Sequence, residues 1–151
     1  METRQPLEFD VVARIADELT RPGVTWTRSQ GEAEPLETRH ILVVAPYNAR
    51  VGALIDRLPR DVHTGTVDRV QSHEAPVVIY WMASSSAEEA PCGMGFLYSP
   101  NRLNVATSRA RCACILVAAL RLTEPDCRTP EQMRWANGLC MVREMAREVT
   151  V

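Results

Sequence analysis

Ile41-Leu42-Val43-Val44-Ala45-Pro46-Tyr47-Asn48-Ala49-Arg50-Val51 is the stretch whose reading decides the fold class. Its first five residues are apolar without a break, so a strand built from them has no face for water and must be covered on both sides. Pro46 ends the run. Apolar residues then recur at Val51, Leu54, Ile55 and Leu58 until Pro59, which is helical rather than strand spacing. A strand buried on both faces and followed at once by an amphipathic helix predicts a parallel α/β unit.

The same pattern continues outward from this stretch. Upstream, Val12, Ile15, Ala16 and Leu19 form one helical stripe that ends near Arg21-Pro22-Gly23, and Ser29 to Arg39 is polar. Downstream, Val62 to Val67 is a short β-rich segment, Asp68 to Glu74 a polar turn, and Val77 to Met82 a second apolar run opened by Pro76. Ala83 to Gly95 is rich in Ser, Ala, Glu, Pro and Gly and predicts an exposed excursion, bounded at 83–99. Asn101 to Arg111 has helical spacing at Leu103, Ala106 and Ala110, and Cys112 to Ala118 is a third apolar run. Thr129-Pro130-Glu131-Gln132 is a capping box with proline at the first helical position. The helix it opens has Trp135, Leu139, Val142, Ala146 and Val149 as its expected buried stripe. Residues 1–151 are thus read as one doubly wound domain, a mainly parallel sheet with helices on both faces. In such sheets ligands gather at the carboxyl ends of the strands. Pro46-Tyr47, Thr66 to Glu74 and the helix with Arg109 are all expected there.

Composition narrows the chemistry. With 151 residues, 46% of them hydrophobic, the chain can bury one ordinary core. The net charge is −2 and the isoelectric point about 5.9, so no general basic field draws it to nucleic acid or an anionic membrane, and no membrane partner is expected. All seventeen basic residues are arginine. A phosphate loop, GxxxxGK[ST], needs a lysine on the β and γ phosphates; this chain has none, and its seven glycines form neither that loop nor a GxGxxG turn. Five cysteines and no apolar N-terminal segment predict a reduced, cytoplasmic protein. Cys112 and Cys114 lie two apart in an apolar run without a second close cysteine or histidine pair, which predicts buried thiols and no metal site. There is no G-x-S-x-G elbow and no nuclease signature.

Three clusters carry the remaining chemistry. They are Ala45-Pro46-Tyr47-Asn48-Ala49-Arg50, Gly65-Thr66-Val67-Asp68-Arg69-Val70-Gln71-Ser72-His73-Glu74, and Asn104-Val105-Ala106-Thr107-Ser108-Arg109-Ala110-Arg111. In order and spacing they resemble motifs IV, V and VI of superfamily 1B helicases. The nearest likeness is to the C-terminal motor domain of bacterial helicases fused to a RecB-like nuclease, with the Upf class as wider relatives. The likeness runs from about Asp10 to Val149 and implies a RecA-like fold of the P-loop NTPase type. Val105 to Arg111 matches the family's V-A-x-[ST]-R-A-R at every defined position.

The resemblance implies a role for each matching residue. Arg109 is implied to be the arginine finger, whose planar guanidinium meets the γ-phosphate in phosphoryl transfer; from the residues alone, Arg109 and Arg111 also fit a solvated helix face. Asn104 is read as a brace or cap of that helix. Thr66 is implied to touch a phosphate of a bound single strand, Glu74 the nucleotide ribose, and Gln71 to steady the turn; a plain strand-turn-helix capped by Asp68 is the other reading. Ser72 stands where the family's Q-G-x-E has glycine, which puts in doubt the close approach of backbone to the γ-phosphate. His73 is read as an exposed turn residue, with proton transfer the alternative. Arg50 occupies the glutamine position of P-Y-x-x-Q, and phosphate contact and surface charge both stay open. Tyr47 either stacks on a base or ring or plugs the sheet end.

The expected whole is the second of two motor domains. ATP and Mg²⁺ are expected only with the first motor domain of the same polypeptide, and none is expected to be held by this chain alone. The expected partners are that first domain and single-stranded DNA or RNA, and the chain reads as a piece of a longer protein. Two other classes stay open. One is a RecA-like interaction module that lost turnover, favoured by Ser72 and Arg50. The other is an ATP-independent nucleic-acid-binding domain, which requires salt-sensitive binding of single strands.

Overall fold

A computed structural model describes residues 4–70, 72–84 and 86–149, with side chains from Phe9 onward. Helix α1 (Arg4–Leu19) leads into an antiparallel ribbon of β1 (Thr25–Thr27) and β2 (Ala33–Pro35). Then come β3 (Ile41–Ala45), α2 (Asn48–Ile55), β4 (His63–Thr66), β5 (Ala75–Trp81), α3 (Met94–Leu97), α4 (Pro100–Ser108), β6 (Ala110–Val117) and α5 (Pro130–Met145). Strands β3 to β6 form one parallel sheet in the order β4-β3-β5-β6. This is the α/β class and the RecA-like layering that the sequence predicts.

Every residue of β3 and β5 is buried, as strands apolar throughout require. Alternation divides them between two cores. Ile41, Val43, Ala45, Val77, Ile79 and Trp81 pack with Val12, Ile15 and Ala16 of α1 and Leu54 of α2. On the other face Leu42, Val44, Val78 and Tyr80 pack with Leu103 and Ala106 of α4 and Leu139 of α5, together with Val67 and Val70 from the segment joining β4 to β5. Gly65 lets that segment lie close: a Cβ there would stand 3.0 Å from Val70 Cγ1. Between the pairs Ala75–Ala110 and Val77–Ala113 the register slips, so that Pro76 alone faces Arg111 and Cys112. Proline has no N–H for a ladder, and a bulge is where a buried strand tolerates one. Ala75 accordingly packs in the core of Val78 and Tyr80, not that of Val77.

Several expectations need correction. Helix α4 stops at Ser108, so Arg109 caps it and Arg111 already belongs to β6; a solvated helix face holding both arginines does not exist. Ser99 accepts from the Arg102 N–H at the start of that helix, and Asn104 is an exposed mid-helix residue, not its cap. Cys112 and Cys114 are exposed, because β6 is the outermost strand and Arg111 to Cys114 are left open. The 83–99 excursion is exposed only around its apex, since Ala83, Ser84, Ser86, Leu97 and Tyr98 are buried and the Tyr98 hydroxyl donates to the Leu122 carbonyl. Helix α5 buries Leu139, but it ends before Ala146, and Val149 is exposed. Among the described residues no helix is long and apolar enough to cross a membrane.

Candidate functional site

The three clusters do not meet at one edge of the sheet. In a parallel sheet a chain leaves each strand at its carboxyl end and must return to the amino end before the next begins. Thr66 pairs with Ala45 at the carboxyl end, whereas Glu74 and Arg109 immediately precede the Ala75–Ala110 pair at the amino end. Thr66 is therefore level with Trp81, and Ala75 to Trp81 spans roughly 20 Å at about 3.3 Å per residue. Tyr47 and Arg50 lie beside Thr66 at the carboxyl edge, so the structure does not bring them to Ser72, Glu74 and Arg109.

The amino edge is polar and open. The Ala75 N–H donates to the Arg109 carbonyl at 3.0 Å, which fixes Glu74 and Arg109 on neighbouring chains. Arg111 Nε lies 3.4 Å from Glu74 Oε2, with both side chains about half exposed. Arg109 is half-buried and its Nε is buried without a hydrogen-bond partner among the described residues. No described carboxylate forms an ion pair with it. Ser72 and His73 are exposed turn residues, as expected for His73, whose ring centroid lies 6.2 Å from that of His63. With Arg69 the two histidines line a cavity of about 360 Å³ beside the turn. Gln71 lies outside the described residues.

The carboxyl edge is dense and aromatic. Tyr47 leads into α2 in extended backbone, φ −126° and ψ 136°, which aims its ring across the sheet end. There it stacks on Phe96 with centroids 5.6 Å apart and planes at 18°. The Arg102 guanidinium covers Phe96 at 3.8 Å, and its Nη2 lies 3.3 Å from Asp68 Oδ2. After β5 the chain turns through Ala83 at φ 61°, a left-handed residue that costs about 1–2 kcal/mol, and delivers Ser84 next to Tyr47. Burial raises the Tyr47 phenol above its ordinary range, with the Ser84 hydroxyl opposing the shift. Burial pushes Tyr80 up to about 12, against the nearby charge of Arg102. Tyr47 Oη, Tyr80 Oη, Ser84 Oγ and Arg102 Nη1 are all buried without a hydrogen-bond partner of good geometry among the described residues. Thr66 is itself buried, and Arg50 is half-buried in the first turn of α2.

The stacked ring of Tyr47 favours its role as a plug of the sheet end over that of a base platform. Phe96, Arg102 and Ser84 were not among the candidates drawn from the sequence. Arg102 had a signal: it precedes Arg109 by seven residues, two helical turns, which puts both on one side of α4. Phe96 and Ser84 had none, because both lie in the segment whose composition predicts an exposed loop.

Known proteins align with part of this chain. Over 80 residues it is 40% identical to the DNA polymerase alpha-associated DNA helicase A of Schizosaccharomyces pombe, which covers 50% of this chain and 12% of that protein. Over 87 residues it is 33% identical to the regulator of nonsense transcripts 1 homolog of Arabidopsis thaliana, covering 58% of this chain and 7% of the relative. The DNA replication ATP-dependent helicase/nuclease JHS1 of Arabidopsis thaliana is 24% identical over 119 residues, 77% of this chain and 8% of that protein. The chain thus spans about a tenth of the length of the relatives it matches. The AAA_12 family, described as an AAA domain, matches residues 2–121, and with helicase-named relatives and a parallel sheet flanked by helices, the chain belongs to that family as a superfamily 1 helicase-type domain.

Proposed function

We propose that this chain is the second motor domain of an ATP-dependent superfamily 1 helicase, of the kind found in nuclease-fused bacterial enzymes. It closes over ATP and Mg²⁺ held mainly by the first motor domain of the same polypeptide. The observation that carries this reading is the amino edge, where one backbone hydrogen bond sets Glu74 beside Arg109 and Arg109 pairs with no described carboxylate. A guanidinium placed so is available to an anion from outside the domain. In the proposed closed state Arg109 meets the γ-phosphate, Glu74 accepts from the ribose hydroxyls, and Ser72 borders the phosphates. The Glu74–Arg111 pair is exposed, so exchanging it for ribose costs little.

Thr66, with Arg50 nearby, serves the opposite edge, where a single strand of DNA or RNA passes. A hydroxyl and backbone N–H groups hold a phosphate without net positive charge, which fits a domain of net charge −2. Binding the nucleotide at one edge and the strand at the other lets opening and closing of the two domains be converted into steps along the strand. The test is ATP turnover by a polypeptide that holds both this chain and a phosphate loop. Arg109→Ala is expected to abolish most strand-stimulated turnover; unchanged turnover defeats the motor reading. In that case a module that kept the fold and lost catalysis takes its place, the reading that Ser72 at the family's glycine position favours.

A further inference from the structure

Two connectors cross the same face of the sheet, each joining its two edges. Residues 67–74 run from Thr66 to Glu74, and α4 runs from the Phe96 side to Arg109. They are clipped together by Asp68 and Arg102 at the carboxyl edge, while at the amino edge Glu74 pairs with Arg111 of β6, the strand that follows α4. The clip has a second anchorage, because Arg102 also covers Phe96, which in turn stacks on Tyr47 at the end of β3. Its Nη1 remains buried without a described partner, so the guanidinium has more donors than Asp68 uses.

We infer that Arg102 is a positioning residue that transmits strand occupancy at the carboxyl edge to Arg109 at the other end of its helix. This rests on the strand reading of Thr66. A phosphate seated at Thr66 lies next to Asp68 and competes with it for Arg102. The Asp68 side chain is 66% exposed, so that pair exchanges at low cost, while the Phe96 face keeps the guanidinium in place. Helix α4 is nine residues long and held to the sheet by Leu103 and Ala106. A change of partner at Arg102 therefore reaches the residue capping the helix as a small rotation of a rigid rod.

The test is an NMR titration of the ¹⁵N-labelled 151-residue chain with oligothymidylate. In the unsubstituted chain the Thr66 and Asp68 amides are expected to shift together with those of Arg109 and Ala110. Arg102→Ala should keep the Thr66 shifts and abolish most of those at Arg109. Asp68→Asn, at an exposed position that leaves packing untouched, should move the Arg109 amide toward its strand-bound position without any strand. That strand-free displacement is a readout which a purely structural role for Arg102 does not predict. Equal Arg109 shifts in Arg102→Ala, or Thr66 shifts with a silent Arg109 in the unsubstituted chain, overturn the inference. If Thr66 itself does not respond, the strand reading falls first and this inference falls with it.

Discussion

The two edges of the sheet are built by opposite means. The carboxyl edge is dense: Tyr47, Phe96 and Arg102 stack in sequence over buried hydroxyls of Tyr80 and Ser84. The amino edge is open, with Ser72, His73 and Glu74 exposed and Arg109 fixed mainly by one backbone hydrogen bond. A surface that must meet another domain and part from it again has to present charge without burying it permanently, because a buried charge without a partner is expensive. On the proposed reading the amino edge is a surface of that kind, whereas the carboxyl edge tracks a polymer and needs shape first. The contrast implies that substitutions at the amino edge alter turnover and leave the fold intact, whereas those at the carboxyl edge alter both.

The largest expected effect tests the first half of that contrast. Arg109→Ala should lower strand-stimulated ATP turnover of a polypeptide with a phosphate loop by about 10³-fold or more, while the melting temperature of the 151-residue chain stays unchanged; a large drop in melting temperature would make Arg109 structural. Next comes Tyr80. The folded protein resists a phenolate that the unfolded chain forms near the ordinary tyrosine value of 10.0, and burial holds the folded value at about 12. The stability present below pH 10 is therefore lost as pH rises toward 12, by roughly 2–3 kcal/mol from the two-unit shift. Tyr80→Phe should remove much of that loss in denaturant melts at pH 9 and pH 11.5, and an unchanged difference between the two would show that another group is responsible. Thr66→Val keeps the shape of a buried side chain and deletes its hydroxyl. Single-strand affinity measured by fluorescence anisotropy at low salt is expected to fall about tenfold, the value of one hydrogen bond to a charged oxygen, and equal affinity removes Thr66 from the strand path. The smallest effect belongs to the exposed pair: Glu74→Gln should change folding stability by less than about 1 kcal/mol, and a larger loss by denaturant melt would mean that this edge is a structural clamp.

Much of the fold was legible because the central strands leave water no face. Ile41–Ala45 and Val77–Met82 can be satisfied only inside a covered sheet, and both are central in it. The third run misled at Cys112 and Cys114, since hydrophobicity reports what a strand can bury and not whether it lies at an edge. Val105–Arg111 fixed the family, yet its linear form concealed that the helix ends between Ser108 and Arg109. The candidate residues were legible one by one, but not their division between two edges. Which end of a strand a motif occupies depends on whether it follows that strand or precedes the next, and residues 66–74 do both. The Arg102 cluster was hidden for a further reason: its contacts join Asp68 to Arg102, 34 positions on, and Tyr47 to Phe96, 49 positions on, and loop composition gives no sign of such pairing.

The slip at Pro76 has a consequence for how this edge tolerates change. Because Arg111 and Cys112 together face Pro76, β6 carries one residue more than β5 there. Deleting Cys112 would leave Arg111 alone opposite Pro76, with Ala110 still opposite Ala75 and Arg109 still beside Glu74, but would close the ladder onto a residue that has no N–H to give it. Most exchanges of one side chain for another at Cys112 would leave the count intact. The slip is thus an allowance for proline: the edge that holds the arginine keeps its place under a change of letter, and a change of number would strain the strand beside it.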